Sequence, residues 1–432
     1  MTATIFAGPA AIANPSVAHI RVALLDSGVP AGQLCVGGDL SRQLARFHAF
    51  QPTAEAWDLA AFALAVVAAD RLVSRAKTSA DGWTREIDLV IAVTRPTTWN
   101  AEAARLAEIV GFLTGDLWKF RFVAGGIPFP APKRADAPLS HDGVSLLSGG
   151  LDSLVGAIDR DALGKSTIFV SHLVRGDRQK QVDFAAAIGG NSRLLQLSSK
   201  VHTAGVADIE ISQRSRSLAF LAFGVLAAQS TASFASGTRI TVSVPENGFI
   251  GLNVPLTPLR AGSLSTRTTH PRFLDGMQAV ADRLNLRVDF ENPYKFQTKG
   301  EMLANCGNQA LLNRLAHLSM SCGRGGRHYR HCGRCLPCLV RRAAFLKWLH
   351  VLNGDNTAYS FPTGAFSGSD FATYDDVLQA RSACADVATR GAQAWIGPAV
   401  NAAELQSHAQ YSAVAARGLA EICAFLRETG VL

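Results

Sequence analysis

Long apolar runs are missing from this sequence. The longest, Leu59–Ala69, is too short to span a bilayer and reads as a buried helix, so a membrane is not expected among the partners. The opening residues Met1-Thr-Ala-Thr-Ile-Phe lack a basic segment ahead of an apolar one. A secretory signal is therefore not expected, and the predicted location is cytoplasmic. Charge is sparse, with 18% charged against 48% hydrophobic residues, which excludes a disordered chain and describes a well-packed one. Neither long internal repeats nor low-complexity tracts occur, which excludes repeat architectures. Eight cysteines in 432 residues are too few for a disulfide framework. A Walker-type phosphate loop is absent too: Gly164-Lys165-Ser166 has its lysine, but Asp159 stands where the first glycine must be.

What the sequence does hold is organised along its length. A chain of 432 residues is expected to form two or three units. Residues 1–122 mix strand-like "HIRVALL" and "EIDLVIAV" with helical "WDLAAFALAVVAADRLV" and "AEAARLAEIVGFL" and carry no chemical motif. They read as an N-terminal α+β domain serving partner recognition. Residues 123–140, "VAGGIPFPAPKRADAPLS", are rich in Pro, Gly and Ala and read as a linker. Over 141–350 the rhythm becomes strand, turn, helix, repeated, which predicts an α/β domain with a parallel sheet covered on both faces. After a loop at about 353–375, residues 351–432 read as a helical C-terminal extension. The formal charge of +8 favours an anionic partner such as nucleotide phosphates, RNA or an acidic protein surface, although a basic solvated surface reads the same way.

Two segments carry chemistry. The first is Ser148-Gly149-Gly150-Leu151-Asp152-Ser153, between the apolar run "VSLL" and a helix. In an α/β sheet, ligands bind beyond the carboxyl ends of strands, where helix N-termini face the crevice. The glycines allow a tight turn, and both serine hydroxyls and the first helical N–H groups converge on one spot suited to phosphate or pyrophosphate. Ordinary turn chemistry, with Asp152 as a helix cap, is the plainer alternative, but nothing structural needs both serines. The second is Cys322, nine residues, then Cys332-x2-Cys335-x2-Cys338. Four thiolates with two short spacings suit a structural tetrahedral zinc, with His328 and His331 as possible substitutes and an iron–sulfur cluster as the rival. The scattered Cys35, Cys306, Cys384 and Cys423 read as plain residues.

Ser-Gly-Gly-Leu-Asp-Ser resembles the PP-loop of the ATP pyrophosphatases, which split ATP between the α and β phosphates. Joined to the cysteine segment, it resembles the 7-cyano-7-deazaguanine synthase (QueC-like) family over about residues 144–346. Within "QRSRSLAFLAFGVLAA", Arg216 and Phe220 match that family's Gly-Arg-Asn helix, with Ser217 in place of Asn. "FQTKGEML" looks like its Thr-Lys-x-Glu segment, giving Thr298, Lys299 and Glu301. The departures are about 140 residues before the loop, about 80 after the cysteines, Glu246-Asn247-Gly248 for Glu-Thr-Asp, and "STRTTHPRF" (Ser265–Phe273) for the Tyr-Pro-Asp-Cys loop. Long chains of this design resemble the QueC-like proteins of bacterial anti-phage systems, in particular the QatC proteins of the Qat system.

The resemblance implies ATP, Mg²⁺ and Zn²⁺ as cofactors. It implies a 7-deazaguanine substrate and attachment of that group to the N-terminus of a QatB-like partner protein from the same operon. Ser148, Gly149, Gly150, Leu151, Asp152 and Ser153 would hold ATP, with Asp152, Ser153 and Lys299 catalytic and Asp152 helping to place Mg²⁺. Arg216, Glu246, Arg267, His270 and Arg341 would contact substrate. Lys299 and Arg341 read equally well as surface charges, and His270 as a helix-terminal residue before Pro271. Three other readings stay open: an ordinary nitrile-forming synthase using ammonia, an RNA-modifying PP-loop enzyme, and a silent scaffold. Reactive cysteines needed for RNA thiolation look committed to metal, so nucleic acid is not the expected partner.

Overall fold

The computed structural model describes residues 2–12, 18–30, 32–44, 51–130, 137–173, 176–189, 191–203, 205–206, 208–211, 214–257, 267–323, 329–362, 376–400 and 405–432. His328, Ser265 and parts of the linker and of the loop at 353–375 lie outside them.

The N-terminal part runs β1 (Ala3–Gly8), β2 (Ile20–Leu24), β3 (Cys35–Val36), α1 (Leu40–Leu44), α2 (Ala54–Leu72), α3 (Arg75–Thr78), β4 (Glu86–Val93), α4 (Pro96–Ala101), α5 (Ala103–Thr114) and β5 (Leu117–Ala124). The middle part continues with β6 (Gly143–Leu146), α6 (Leu151–Ala162), β7 (Thr167–His172), α7 (Arg178–Ile188), β8 (Leu194–Leu197), β9 (Val201–His202), α8 (Arg216–Ala228), α9 (Ala232–Ala235), β10 (Ile240–Ser243), α10 (Gly248–Leu252), α11 (Pro271–Arg283) and β11 (Val288–Glu291). Helices follow: α12 (Lys299–Ala304), α13 (Gln309–Leu315), α14 (Leu336–Leu349), α15 (Asp376–Arg390), α16 (Ala392–Val400) and α17 (His408–Glu428).

The second sheet has the order β11-β10-β6-β7-β8 and is parallel throughout. The N-terminal region differs from the expected α+β domain. Its strands β5-β4-β1-β2-β3 are also all parallel, and β9 joins β3 antiparallel at the far edge. The α/β rhythm is hidden in the sequence because no helix separates β1, β2 and β3 among the described residues, and β3 is only two residues long. Numbered within each sheet, both five-strand sets have the order 3-2-1-4-5, with the central strand as the point where the chain reverses direction.

Helix α2 explains how the sheets are joined. Its run "AFALAVVAA" has no polar face, so it must be covered all round. It packs on β4 on one side and α8 on the other, while α8 rests on β6, β7 and β10. Helix α5 and helix α11 make a second such pair. One apolar cluster therefore runs from Ile5 to Val288 through both sheets. The buried ends of α2 are compensated. Asp58 accepts from Thr94 N, Thr94 Oγ1 and Arg95 N. Asp70 meets Arg85 Nη2 at 2.6 Å. On the opposite face of the second sheet, α6, α7, α12, α13 and α14 form another cluster. The C-terminal region is helical as expected, packing α15–α17 against α10 and α14. The reading of Cys384 and Cys423 as plain residues is corrected there: α15 and α17 bring their Cα atoms to 5.8 Å and they form a disulfide. The two lie 39 residues apart and only the helix pairing aligns them, so spacing gave no signal. No described helix is long and apolar enough to cross a membrane.

Candidate functional site

The turn after β6 sits at the carboxyl edge of the second sheet, between β7 and β10. Gly149 has φ +92°, a conformation that a side chain would strain. The reading that nothing structural needs both serines is corrected here, because the two hydroxyls hold the turn together. Ser153 Oγ accepts from Ser148 N at 3.2 Å and donates to Gly150 O at 3.0 Å, while Ser148 Oγ accepts from Gly150 N at 3.2 Å. Among the described residues the N–H groups of Gly149, Leu151, Asp152 and Ser153 have no partner. They lie at the positive end of a twelve-residue helix, an arrangement suited to an anion.

Asp152 lies under this turn and is buried, and it gathers residues distant in sequence. Its Oδ1 pairs with the Lys299 ammonium. Its Oδ2 accepts from Asn247 N at 3.0 Å and Asn247 Nδ2 at 2.6 Å. Glu246 lies beside it, its Oε1 accepting from the same Asn247 Nδ2 at 3.2 Å. Burial alone would raise the Asp152 carboxyl, but the Lys299 charge, the Glu246 hydrogen bond and the Asn247 N–H together hold it below the usual range. Burial and the Asp152 charge push Glu246 well above its ordinary value, so Glu246 carries the proton of the pair. Asp152 is thus already saturated, and a cation could reach it only by displacing one of these partners. Lys299 itself is fixed by its place at the start of α12, where Thr298 and Glu301 form a reciprocal cap.

On the β7 side, Arg216 opens α8. Burial lowers its guanidinium and Asp177 opposes that shift. No hydrogen-bond partner satisfies the Arg216 side chain among the described residues. His172 at the end of β7 bonds Ser199 Oγ at 2.5 Å and is pushed down to about 3 by burial and by Arg216, so it is neutral. Asp177 lies beside Gly149, within 4 Å of where a Cβ there would stand. The structure therefore brings Ser148, Gly149, Gly150, Leu151, Asp152, Ser153, Glu246 and Lys299 together, with Arg216 near the same edge.

It does not bring the other three into this group as free contacts. Arg341 is fully buried and bonds Ser319 Oγ at 2.8 Å, Ala316 O at 2.8 Å, Thr357 Oγ1 at 2.7 Å and Asp355 at 3.2 Å. Arg267 donates to Phe112 O at 2.8 Å and lies over the Phe112 ring. His270 caps α11 by accepting from Arg272 N at 3.1 Å, its edge against Phe112, and burial with the two arginines pushes it down to about 4. Both bind the N-terminal unit to α11. Sequence reasoning passed over His172 and Asn247. The signal for Asn247 was its place as a helix cap before the glycine of α10, where its side chain accepts from Ile250 N.

The four cysteines form a compact set. Cys322 Sγ is 3.8 Å from Cys335 Sγ and Cys332 Sγ is 3.9 Å from Cys338 Sγ, with all four sulfurs within 4.8 Å. A tetrahedron built on metal–sulfur bonds of about 2.3 Å has edges of about 3.8 Å, so the donors fit a metal such as zinc. A cluster of several irons would need thiolates spread round a larger body. Cys335 caps α14 and Pro337 follows it, which sets Cys335 and Cys338 one helical turn apart. His331 is no ligand, since its Nε2 accepts from Ser321 N at 3.0 Å. The segment also braces the glycine turn, through Met320 N donating to Gly149 O at 3.0 Å.

No protein-family model and no curated protein matches this chain.

Proposed function

We propose that the chain is a QueC-like, ATP-dependent amide-forming enzyme of a Qat-type anti-phage system, which activates a 7-deazaguanine carboxylate and joins it to the N-terminus of a partner protein. The observation that carries this reading is the Ser148–Ser153 turn at the reversal point of a 3-2-1-4-5 parallel sheet, with four unpaired N–H groups at a helix N-terminus. In the first step a substrate carboxylate oxygen attacks the α-phosphorus of ATP. The bond to the β-phosphate breaks, giving acyl-adenylate and pyrophosphate. In the second step an amine attacks the acyl carbon, the bond to AMP breaks, and one proton leaves to water.

The unpaired N–H groups would hold the departing pyrophosphate, where donors fixed in advance favour developing charge. Arg216, which has no hydrogen-bond partner among the described residues and only the charge of Asp177 nearby, would neutralise a second anionic group. Asp152 would act as the anchor that fixes Lys299 and the Glu246–Asn247 turn at the reacting edge. Mg²⁺ entering with ATP would offset the phosphate charge. Zinc on the cysteines would stiffen the segment that holds Gly149 through Met320.

Incubation with ATP and 7-carboxy-7-deazaguanine tests the reading. It should release AMP and pyrophosphate and support pyrophosphate exchange, both lost in Ser153→Ala with the fold retained. Release of ADP and phosphate would refute it. Formation of free nitrile from ammonia, with no partner gaining mass, would leave an ordinary synthase.

A further inference from the structure

Strand β5, "LWKFRFVA", is eight residues long and ends the first sheet beyond β4. Alternation fixes which of its backbone groups face outward. Leu117 N donates to Arg85 O, on the β4 side. On the far side, Phe122 O accepts from Asn100 Nδ2 at 2.8 Å and Phe122 N donates to Asn100 Oδ1 at 3.0 Å. Successive residues of a strand turn their N–H and C=O groups to opposite neighbours, so those of Trp118 and Phe120 face the open edge. They meet no described residue there. Asn100 therefore closes the edge at Phe122 and leaves Leu117–Arg121 open.

The side chains decide what fits this edge. Trp118, Phe120 and Phe122 point to the core and are buried. Lys119 and Arg121 stand exposed on the outer face, with Leu117, 62% exposed, ahead of them. Neither cation has an ion pair or hydrogen bond to a described residue, although Asp88 of β4 lies beside Lys119 in the register. A second copy of the chain is disfavoured, because pairing two β5 edges sets these cations against those of the other copy. The same geometry favours an acidic strand, since side chains two residues apart share one face.

We infer that the Leu117–Arg121 edge takes up an extended segment of a partner protein as a strand added beyond β5, with two acidic side chains, one residue apart, against Lys119 and Arg121. Backbone bonds to Trp118 and Phe120 supply the affinity, and the two cations supply the choice of segment. This inference goes beyond the ATP reading and does not rest on it. It gives the N-terminal unit a binding surface of its own, away from the glycine turn.

Fluorescence anisotropy on the full chain without nucleotide tests it. The probes are the labelled, terminally blocked peptides Thr-Val-Glu-Val-Glu-Val-Thr and Thr-Val-Lys-Val-Lys-Val-Thr. The acidic peptide should bind about tenfold more tightly, because two cross-strand charge pairs change sign between the probes. Lys119→Glu combined with Arg121→Glu, both at exposed positions, should invert that preference and leave the melting temperature little changed. An added strand turns only alternate N–H groups to the edge. Of two N-methylated acidic peptides, one methylated at the valines and one at the glutamates, only one should therefore bind as well as the parent. Binding of neither probe, an unchanged preference in the double variant, or equal behaviour of the two methylated forms overturns the inference. Self-association of the chain that the double variant abolishes would assign the edge to a second copy and overturn it as well. Because no nucleotide is present, failure here leaves the ATP reading standing, and failure of ATP turnover leaves this result standing.

Discussion

Lys299→Met probes the buried charge cluster most directly. The change keeps side-chain length and removes the ammonium from Asp152 at a place where both side chains are 7% exposed. Removing one partner of a buried ion pair costs about 3–5 kcal/mol, because the other charge is left uncompensated. The cost here is lower, since Asp152 keeps two hydrogen bonds from Asn247 and can take up a proton. We expect about 2–4 kcal/mol at pH 8. A chain of this length unfolding as one unit has an unfolding entropy of about 0.9 kcal/mol/K, so Tm should fall by about 2–4 °C. The pH dependence is the sharper readout. In the native chain the Asp152 carboxyl lies below its unfolded value, so the pair stabilises above about pH 4 and is lost as pH falls through the folded value. In the variant, burial beside Glu246 raises that carboxyl instead, and stability is lost as pH climbs from about 4 toward the raised value. Urea melts should show the gap between the two proteins widening from pH 5 to pH 8, and Asp152→Asn added to Lys299→Met should recover part of the loss. An equal gap at both pH values, or no recovery in the double variant, refutes the reasoning.

Metal analysis should find one zinc per chain, and Cys335→Ser should cost folding before any chemical step, since structural zinc contributes folding free energy; iron with sulfide, or no metal, would count against the site. Thiol titration of the unfolded, unreduced chain should give six thiols, four of them only after chelation, because Cys384 and Cys423 are paired. Eight titrating thiols would remove the disulfide. Glu421 is pushed up to about 7 by burial, so it withdraws stability as pH rises from about 4 to 7. Glu421→Gln keeps an oxygen acceptor for only one of Thr298 Oγ1 and Gly300 N and sets its amide nitrogen against the other, so it should cost about 1 kcal/mol near pH 4 yet be stabilising by at most about 2 kcal/mol at pH 8 in thermal melts. Destabilisation at pH 8 would mean that the charged carboxylate is the form the site holds.

Elements with strong local patterns were legible. The segments "STIFVSHL", "LRVDF" and the helix from Pro271 form β7, β11 and α11 at nearly the read boundaries, because length and apolar pattern decide them. The glycine turn and the four cysteines were legible because their spacing is itself the geometry. Strand β1 was not: "ATIFAG" lies at the chain start with no flanking pattern, and only its pairing with β2 and β4 makes it a central strand. The roles of single charged residues were least legible. Arg341, within α14, and Lys299, at the start of α12, are both basic helix residues, yet one is enclosed by Ser319, Ala316, Thr357 and Asp355 and the other reaches Asp152, a difference set wholly by tertiary packing. Gly248 read as a departure from an acidic motif, whereas a Cβ there would stand 2.2 Å from Lys295 O, so close approach of α10 to that backbone requires it.

The segments flanking the α/β core act on the site through its two arginine- and lysine-bearing helix starts. Asp70, from the N-terminal helix α2, accepts from Ser215 N at 3.1 Å and Ser215 Oγ at 2.8 Å, directly before Arg216. Asp70 is in turn fixed by Arg85, which is fully buried and also bonds Asp116 at 2.6 Å. From the other end of the chain, Glu421 of α17 holds Thr298 and Gly300 on either side of Lys299, and Arg417 holds Glu301 at 2.6 Å. A buried carboxylate on one flank and a titrating one on the other therefore set where the two cationic side chains emerge. Truncating either flank would expose these charges to water and loosen α8 or α12 before it touched the Ser148–Ser153 turn. The flanks thus belong to the architecture of the site as well as to any partner surface they present.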